Sequence, residues 1–187
     1  MKNFQINMKK FSDKKIIISM KRGDIHSFSF VYDEFFDEIY RFIYFKVLND
    51  DKAADFAADV FMKLASYVRK EKGDIKNVRA MLYRIARNMI IDNSRKKKEE
   101  YIEDLGFEVA DKKNPSLDDV IADTQDVEKV KKAISELPES YREVLIMKFI
   151  EELSNSEIAK ILEKKEGAVR TLISRAIGRL KKDLGQI

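Results

Sequence analysis

The chain has 187 residues, of which 44% are hydrophobic and 37% are charged, and its formal net charge is +4. It has no cysteine and one histidine, His26, which excludes disulfides, thiolate catalysis, Cys-ligated metals and metal sites with several histidines. Its longest apolar runs, such as 89–91, are far shorter than the ~20 residues that span a bilayer. We therefore expect a cytoplasmic protein without membrane insertion.

The first 23 residues carry lysine pairs and one short apolar run, Ile16-Ile17-Ile18. This run is compatible with a short strand, a docking peptide or a disordered segment. Residues 1–23 therefore stay an unassigned N-terminal extension.

Residues 24–98 predict a small bundle of about three helices. Apolar residues recur every three or four positions from Phe28 to Ile43 and again from Ala53 to Leu64, as on one face of a helix. A loop follows, and then a third helix with one apolar face and one cationic face. The apolar face of this third helix consists of Leu82, Ile85, Ala86, Met89 and Ile90.

Charge changes sign after the third helix. Residues 79–98 contain seven basic residues and one acid, whereas residues 99–128 contain eleven acids and two lysines. The acidic stretch has few apolar residues and includes Asn114-Pro115. It therefore predicts a flexible linker over residues 99–126.

A second helical unit is predicted over residues 127–187. Pro138 suits the first turn of a helix, and Ser154 with Glu157 forms a capping-box pattern at the start of another. The apolar spacing between these two signals runs through Tyr141, Val144, Leu145 and Phe149.

The segment from Ser154 to Leu180 has the pattern of helix, tight turn and helix. A helix fits the major groove of DNA, where Arg, Thr and Ser side chains reach base edges and phosphates. This pattern favours DNA binding over an ordinary helical hairpin with a solvated charged face. The exposed side of the second helix carries Arg170, Thr171, Ser174, Arg175 and Arg179.

Two stretches resemble a known family. Residues 30–95, with the motif LYRIARN at 82–88, resemble regions 2.1 to 2.4 of sigma-70 factors of the extracytoplasmic-function (ECF) group. Residues 137–184, with LPESYREVL at 137–145 and EGAVRTLISRA at 166–176, resemble region 4 of the same group. The resemblance implies an all-α fold of two small helical domains, region 2 (24–98) and a region 4 helix-turn-helix (127–187), joined by an acidic flexible linker.

The same resemblance implies a sigma factor that binds core RNA polymerase, directs it to promoter DNA and helps to melt it. It implies no catalytic residue, metal or cofactor, and an anti-sigma factor is an expectation from the family alone. The implied polymerase-binding residues are Asp55, Phe56, Asp59, Phe61 and Met62. The implied residues that contact the minus-ten element are Lys76, Asn77, Arg84, Arg87, Asn88, Asp92 and Arg95. The implied residues that contact the minus-thirty-five element are Lys165, Arg170, Thr171, Ser174, Arg175 and Arg179.

The turn of the helix-turn-helix contains one of the departures from the family pattern. Glu163 stands in the helix-turn-helix turn where the family usually has glycine, and a left-handed backbone is strained for glutamate. We therefore expect a turn of different shape.

Two other functions are compatible with parts of the sequence. A helix-turn-helix regulator that acts without polymerase would need only the second domain. A metal-dependent nuclease could use Asp33, Glu34, Asp37 and Glu38, although their helical spacing is better explained as a solvated face.

Overall fold

The structure is a computed structural model that describes residues 13–70, 75–103, 133–134 and 136–185, with the side chains of the 75–103 segment described to residue 95. Its regular elements in these ranges are helices, and the chain divides into two compact units, Met1–Asp104 and Leu105–Ile187. The predicted all-α class with two helical domains is confirmed.

The described part of the first unit contains four helices, α1 (Asp13–Lys21), α2 (Ile25–Val47), α3 (Asp50–Arg69) and α4 (Val78–Glu103), and short polar side chains cap the second and third. Asp24 precedes α2, and its carboxylate accepts hydrogen bonds from the His26 backbone N–H (3.1 Å) and the Ser27 hydroxyl (2.6 Å). The Ser27 hydrogen bond lowers the pKa of the Asp24 carboxyl. Asn49 caps α3 by accepting from the Lys52 N–H at 2.9 Å.

The core of the first unit lies where α2 packs against both α3 and α4. Phe42 of α2 meets Tyr83 of α4 edge to face, with ring centroids 4.8 Å apart, and both side chains are fully buried. Four of the five apolar residues predicted for the third helix are buried and Ile85 is half-buried. The helix α4 continues to Glu103, five residues past the end predicted for this domain. The remaining linker residues, 104–126, lie outside the described residues.

The apolar run at 16–18 is helical, which corrects the strand and disorder interpretations. Ile16, Ile17 and Met20 are only 5–6% exposed and fall on one side of α1, which packs against α2 and α3. Ile18 points away and is 41% exposed. The docking-peptide interpretation is also replaced, because the run packs on its own domain.

The second unit is built from α5 (Glu139–Leu145), which continues as a π-helical turn (Ile146–Ile150), then α6 (Asn155–Leu162) and α7 (Glu166–Leu184). The prediction of Phe149 on the apolar face is wrong, because Phe149 is 58% exposed while Ile146 and Met147 are buried. A π turn holds one residue more than an α turn and so shifts which residues face the core.

Both ends of α6 are defined by local geometry, a capping box at its start and a left-handed residue at its end. The predicted capping box is confirmed: the Ser154 hydroxyl accepts from the Glu157 N–H at 3.2 Å, and the Glu157 carboxylate accepts from the Ser154 N–H at 2.9 Å. Glu163 ends α6 at φ 53° and ψ 41°. The expectation of a different turn shape is therefore wrong, because glutamate adopts the left-handed conformation here.

Candidate partner and nucleic-acid interfaces

The first candidate surface is a stripe along α3, made of Asp55, Asp59 and Met62. The two aspartates are exposed one turn apart, and Met62 is 69% exposed almost one turn further on. The stripe therefore combines two carboxylates with one large apolar side chain, which suits a cationic partner with an apolar patch.

Two other residues predicted for this surface lie deeper. Phe56 is half-buried. Phe61 is 1% exposed, and its ring lies 4.9 Å from that of Tyr32 and 6.0 Å from that of Phe36, measured between centroids. Phe61 therefore supports α3 from inside the domain and is out of reach of a partner.

An aromatic ladder on α2 lies beside α3. Its four rings follow one another at intervals of one helical turn, with centroid separations of 4.8, 6.3 and 6.3 Å. The spacing of every fourth residue was the signal that could have identified the whole set. The ladder consists of Tyr32, Phe36, Tyr40 and Tyr44.

The second candidate surface is the polar face of α4. Asn88, Asp92 and Arg95 are exposed, whereas Arg84 and Arg87 are half-buried and each interacts with another residue. From Arg84 to Arg95 this face runs for about 17 Å along the helix axis. It therefore offers cations, an amide and a carboxylate in one line.

The start of α4 gives its two predicted residues different surroundings. Lys76 is exposed. The Asn77 side-chain oxygen accepts a hydrogen bond from the Ala80 N–H at 2.7 Å, so this residue caps the helix. The amide nitrogen of Asn77 and the second lone pair of its side-chain oxygen can still meet nucleic acid.

The third candidate surface is the exposed side of α7, which Val169, Ile173 and Ala176 fix to the core. Arg170 lies 3.1 Å from Glu166, and Arg179 donates to Asp183 at 2.9 Å, each one turn away on the same helix. The Thr171 hydroxyl donates to the Gly167 carbonyl at 3.1 Å, and Lys165 is exposed just before the helix.

Ser174 and Arg175 complete the α7 surface and differ from Arg170, Thr171 and Arg179. Both side chains are exposed, and within the described part of the chain neither forms a hydrogen bond or ion pair. Like Lys165 just before the helix, they can therefore meet a ligand without first giving up a side-chain contact within the described residues.

The carboxylates considered for a nuclease are arranged differently from a metal site. Glu38 lies 3.2 Å from Arg79, whereas Asp33, Glu34 and Asp37 are exposed. Within residues 13–70, 75–95 and 136–185, no group of three or more His, Asp or Glu could hold a metal ion. None of the helices in the described residues has the length and apolarity needed to cross a membrane.

Comparison with protein families matches residues 128–180 to the description "Sigma-70, region 4". The ECF RNA polymerase sigma factor SigW of Bacillus subtilis is 36% identical over 183 residues, which cover 91% of this chain and 96% of SigW. SigM of the same bacterium, also an ECF RNA polymerase sigma factor, is 29% identical over 157 residues, which cover 81% of this chain and 91% of SigM.

Two solved structures have a similar fold. One is the sigma factor RpoE in complex with the anti-sigma factor NepR from Bartonella quintana, with a TM-score of 0.63, 25% identity and coverage of 82% of this chain and 94% of that chain. The other is CnrH in complex with the cytosolic domain of CnrY, with a TM-score of 0.67, 19% identity and coverage of 93% and 97%. The likeness therefore extends well beyond the helix-turn-helix.

Proposed function

Since the chain belongs to the ECF group of sigma-70 factors, it directs transcription initiation from specific promoters, and we propose that its two domains carry separate parts of this activity. The first domain binds core RNA polymerase and opens the minus-ten element, and the second reads the minus-thirty-five element as duplex DNA. The chain acts in the cytoplasm as an initiation factor without catalytic residues of its own. Its likeness to SigW over 91% of its length favours this function over a free-standing regulator.

The acidic stripe of α3 is the proposed contact with polymerase. Asp55 and Asp59 are exposed, and Met62 adds an apolar contact at the end of the stripe. Charges of this kind speed association with a cationic partner and set its orientation. Phe61 keeps the stripe in place by packing beneath it on Tyr32.

The polar face of α4 is the proposed site for the melted minus-ten strand. Asn88 offers both a donor and an acceptor to a base edge, and Arg95 offers a fork of donors to phosphate. Taking a base out of the stack costs a few kcal/mol. Contacts to the exposed bases offset this cost, so strand opening here needs no ATP.

The exposed side of α7 is the proposed reader of the duplex. A helix enters the major groove, where arginine pairs bidentately with guanine. Arg175 and Ser174 carry this reading, because their side chains are exposed without a protein partner in the described residues. Arg170, Thr171, Arg179 and Lys165 supply flanking contacts.

An inhibitory partner is also proposed. RpoE and CnrH, which share this fold, have been solved in complexes with NepR, an anti-sigma factor, and with CnrY. We infer that an anti-sigma factor binds this chain and blocks the surfaces that polymerase needs.

The test is reconstitution with purified core polymerase. The full chain should bind core enzyme and support run-off transcription from genomic fragments, with start sites mapped by sequencing the transcripts. Asp55→Asn combined with Asp59→Asn should weaken core binding by about tenfold, or about 1.4 kcal/mol. A matched control replaces Asp33 and Asp37, which are also exposed and one turn apart, but on α2. Equal losses in both double variants, or normal binding by the α3 variant, would refute the assignment of the α3 stripe.

A further inference from the structure

The first turn of α4 is joined to α2 by an ion pair between the two helices. The Arg79 Nε atom lies 3.2 Å from the Glu38 carboxylate, and the two side chains are 34% and 12% exposed. The Arg79 guanidinium also lies over the ring of Phe35, with its central carbon 5.5 Å from the ring centroid. Phe35 and Glu38 are three residues apart, so they lie on the same side of α2. Arg79 therefore contacts both an acid and an aromatic ring of the neighbouring helix.

A second contact between the same two helices follows one turn later. Phe42 lies four residues after Glu38, and Tyr83 lies four residues after Arg79. The rings of Phe42 and Tyr83 meet edge to face with centroids 4.8 Å apart, and both are fully buried. Two contacts one turn apart restrain the rotation and the tilt of α4 more than either contact does alone.

The side of α4 that carries Arg79 is opposite to its polar face. An α-helix turns by about 100° per residue, so Asn88, nine residues after Arg79, lies on the other side of the helix. By the same measure, Arg84 and Arg95 lie within about 40° of Asn88 around the helix axis. Although Arg79 belongs to the basic stretch 79–98, it therefore faces α2 and not a strand held along the polar face.

We propose that Glu38 and Arg79 are positioning residues for strand opening, because their ion pair sets the rotation of α4 and so the direction in which Asn88 meets the melted strand. Hydrogen bonds to a base edge weaken steeply at poor angles, whereas the attraction between charges falls only gradually with distance. A change in the rotation of α4 should thus impair strand opening more than binding of the closed duplex. This inference rests on the proposed role of α4 in strand opening.

The test uses the holoenzyme on a promoter mapped by run-off transcription. Glu38→Gln keeps the size of the side chain and removes its charge. It should lower the open fraction several-fold, measured as permanganate reactivity of the melted thymines, while the affinities for core polymerase and for the closed duplex stay constant. Glu34→Gln is the matched control, because Glu34 is exposed one turn earlier on the same helix, and it should open the promoter like the wild type. If Glu38→Gln lowered all three readouts in parallel, the ion pair would be structural only and the proposal would be overturned.

Arg79→Gln distinguishes a positioning role from a direct DNA contact. Loss of one phosphate contact lowers the slope of log affinity against log salt by about 0.7 for a single strand. Arg79→Gln should leave this slope unchanged for fluorescent single strands that carry the minus-ten region, although it opens the promoter as poorly as Glu38→Gln. A smaller slope would show that Arg79 contacts phosphate and would overturn the proposal.

The double variant, Glu38→Gln with Arg79→Gln, tests whether the two residues act through one contact. Effects of residues that share a contact are not additive, whereas independent losses multiply as fold-changes. The double variant should open the promoter no worse than Arg79→Gln alone, because it leaves neither charge without its partner. A loss equal to the product of the two single losses would show separate roles and contradict the proposal.

Failure of the proposed function and failure of this inference give different results. If the wild-type chain neither binds core polymerase nor opens the promoter, the proposed function fails. If it does both, and Glu38→Gln opens the promoter as well as the wild type does, only the positioning inference is overturned.

Discussion

The Tyr40 hydroxyl donates a hydrogen bond of 2.6 Å to Asp50, ten residues further along the chain. This contact joins the aromatic ladder of α2 to the first turn of α3, the helix that carries the proposed polymerase surface. The hydrogen bond to Asp50 raises the pKa of Tyr40 to about 12. The position of α3 is thus coupled to the ionisation of one tyrosine.

Tyr40→Phe should remove this link without changing the ring ladder. We expect a loss of about 1 kcal/mol at most in the free energy of unfolding of the first domain, because the bond is exposed to solvent. A raised folded-state pKa means that the bond contributes fully below pH 10 and is lost as the pH rises through about 12. A difference titration of phenolate absorbance between wild type and variant should show one tyrosine with a midpoint near 12. A midpoint near 10 would contradict the contact.

Glu163→Gly should stabilise the second domain. A left-handed backbone conformation costs a residue other than glycine about 1–2 kcal/mol, and glycine avoids this cost. Glycine is also more flexible in the unfolded chain, which offsets about 0.4–1 kcal/mol of the stabilisation. A net stabilisation of about 0.5–1 kcal/mol is expected in denaturant unfolding. Glu163→Ala is the control, since it removes the same side-chain contacts but keeps the strain. A glycine variant no more stable than the alanine variant would show that the strain is absent.

The helices α2, α3, α6 and α7 could be predicted because their signals are local. Apolar spacing of three and four marks their buried faces, and the Ser154 and Glu157 capping box marks the start of α6 within four residues. The cationic face of α4 could be predicted for the same reason. Local sequence, however, does not distinguish the exposed Asn88 from the half-buried Arg84 and Arg87.

The features that could not be predicted depend on contacts between distant residues or on irregular backbone. Ile16-Ile17-Ile18 has no helical spacing of its own, and only packing on α2 and α3 shows which residues face inward. The family resemblance assigns Phe61 to a partner surface, but in the fold its ring is buried against those of Tyr32 and Phe36. The exposure of Phe149 follows from a π turn that residue spacing does not reveal.

Arg175→Ala should weaken binding to the minus-thirty-five duplex by about 1–3 kcal/mol, as expected for loss of a base-contacting arginine. The loss should be larger on the cognate duplex than on a scrambled one, because a base contact carries specificity. Anisotropy titrations with both duplexes measure this difference. Lys181→Ala, also exposed on α7, is the control and should weaken both equally and slightly. Unchanged affinity in Arg175→Ala would remove this residue from the site.

Glu166→Gln should strengthen duplex binding several-fold at low salt. Glu166 lies 3.1 Å from Arg170, so it neutralises part of the α7 surface and holds that arginine in place. Removing the carboxylate frees Arg170 and takes one negative charge away from the DNA. The gain should shrink as the salt concentration rises, because screening weakens contacts between exposed charges. Glu166→Asp is the control, because it keeps the charge and should bind the duplex like the wild type. If the gain in affinity of Glu166→Gln did not depend on salt, this electrostatic explanation would be refuted.

Asn88→Ala should separate duplex binding from strand opening. Asn88 is exposed at the centre of the polar face of α4, where an amide can pair with an unstacked base but cannot replace a phosphate-binding cation. Loss of one such hydrogen bond costs about 1 kcal/mol, which makes the open fraction roughly fivefold smaller. Permanganate reactivity of the melted thymines should fall accordingly, while the affinity of the closed complex stays constant. Arg175→Ala should show the reverse pattern, with weakened closed-complex binding and normal opening once bound. If both variants lowered the two readouts in parallel, the division of work between α4 and α7 would be refuted.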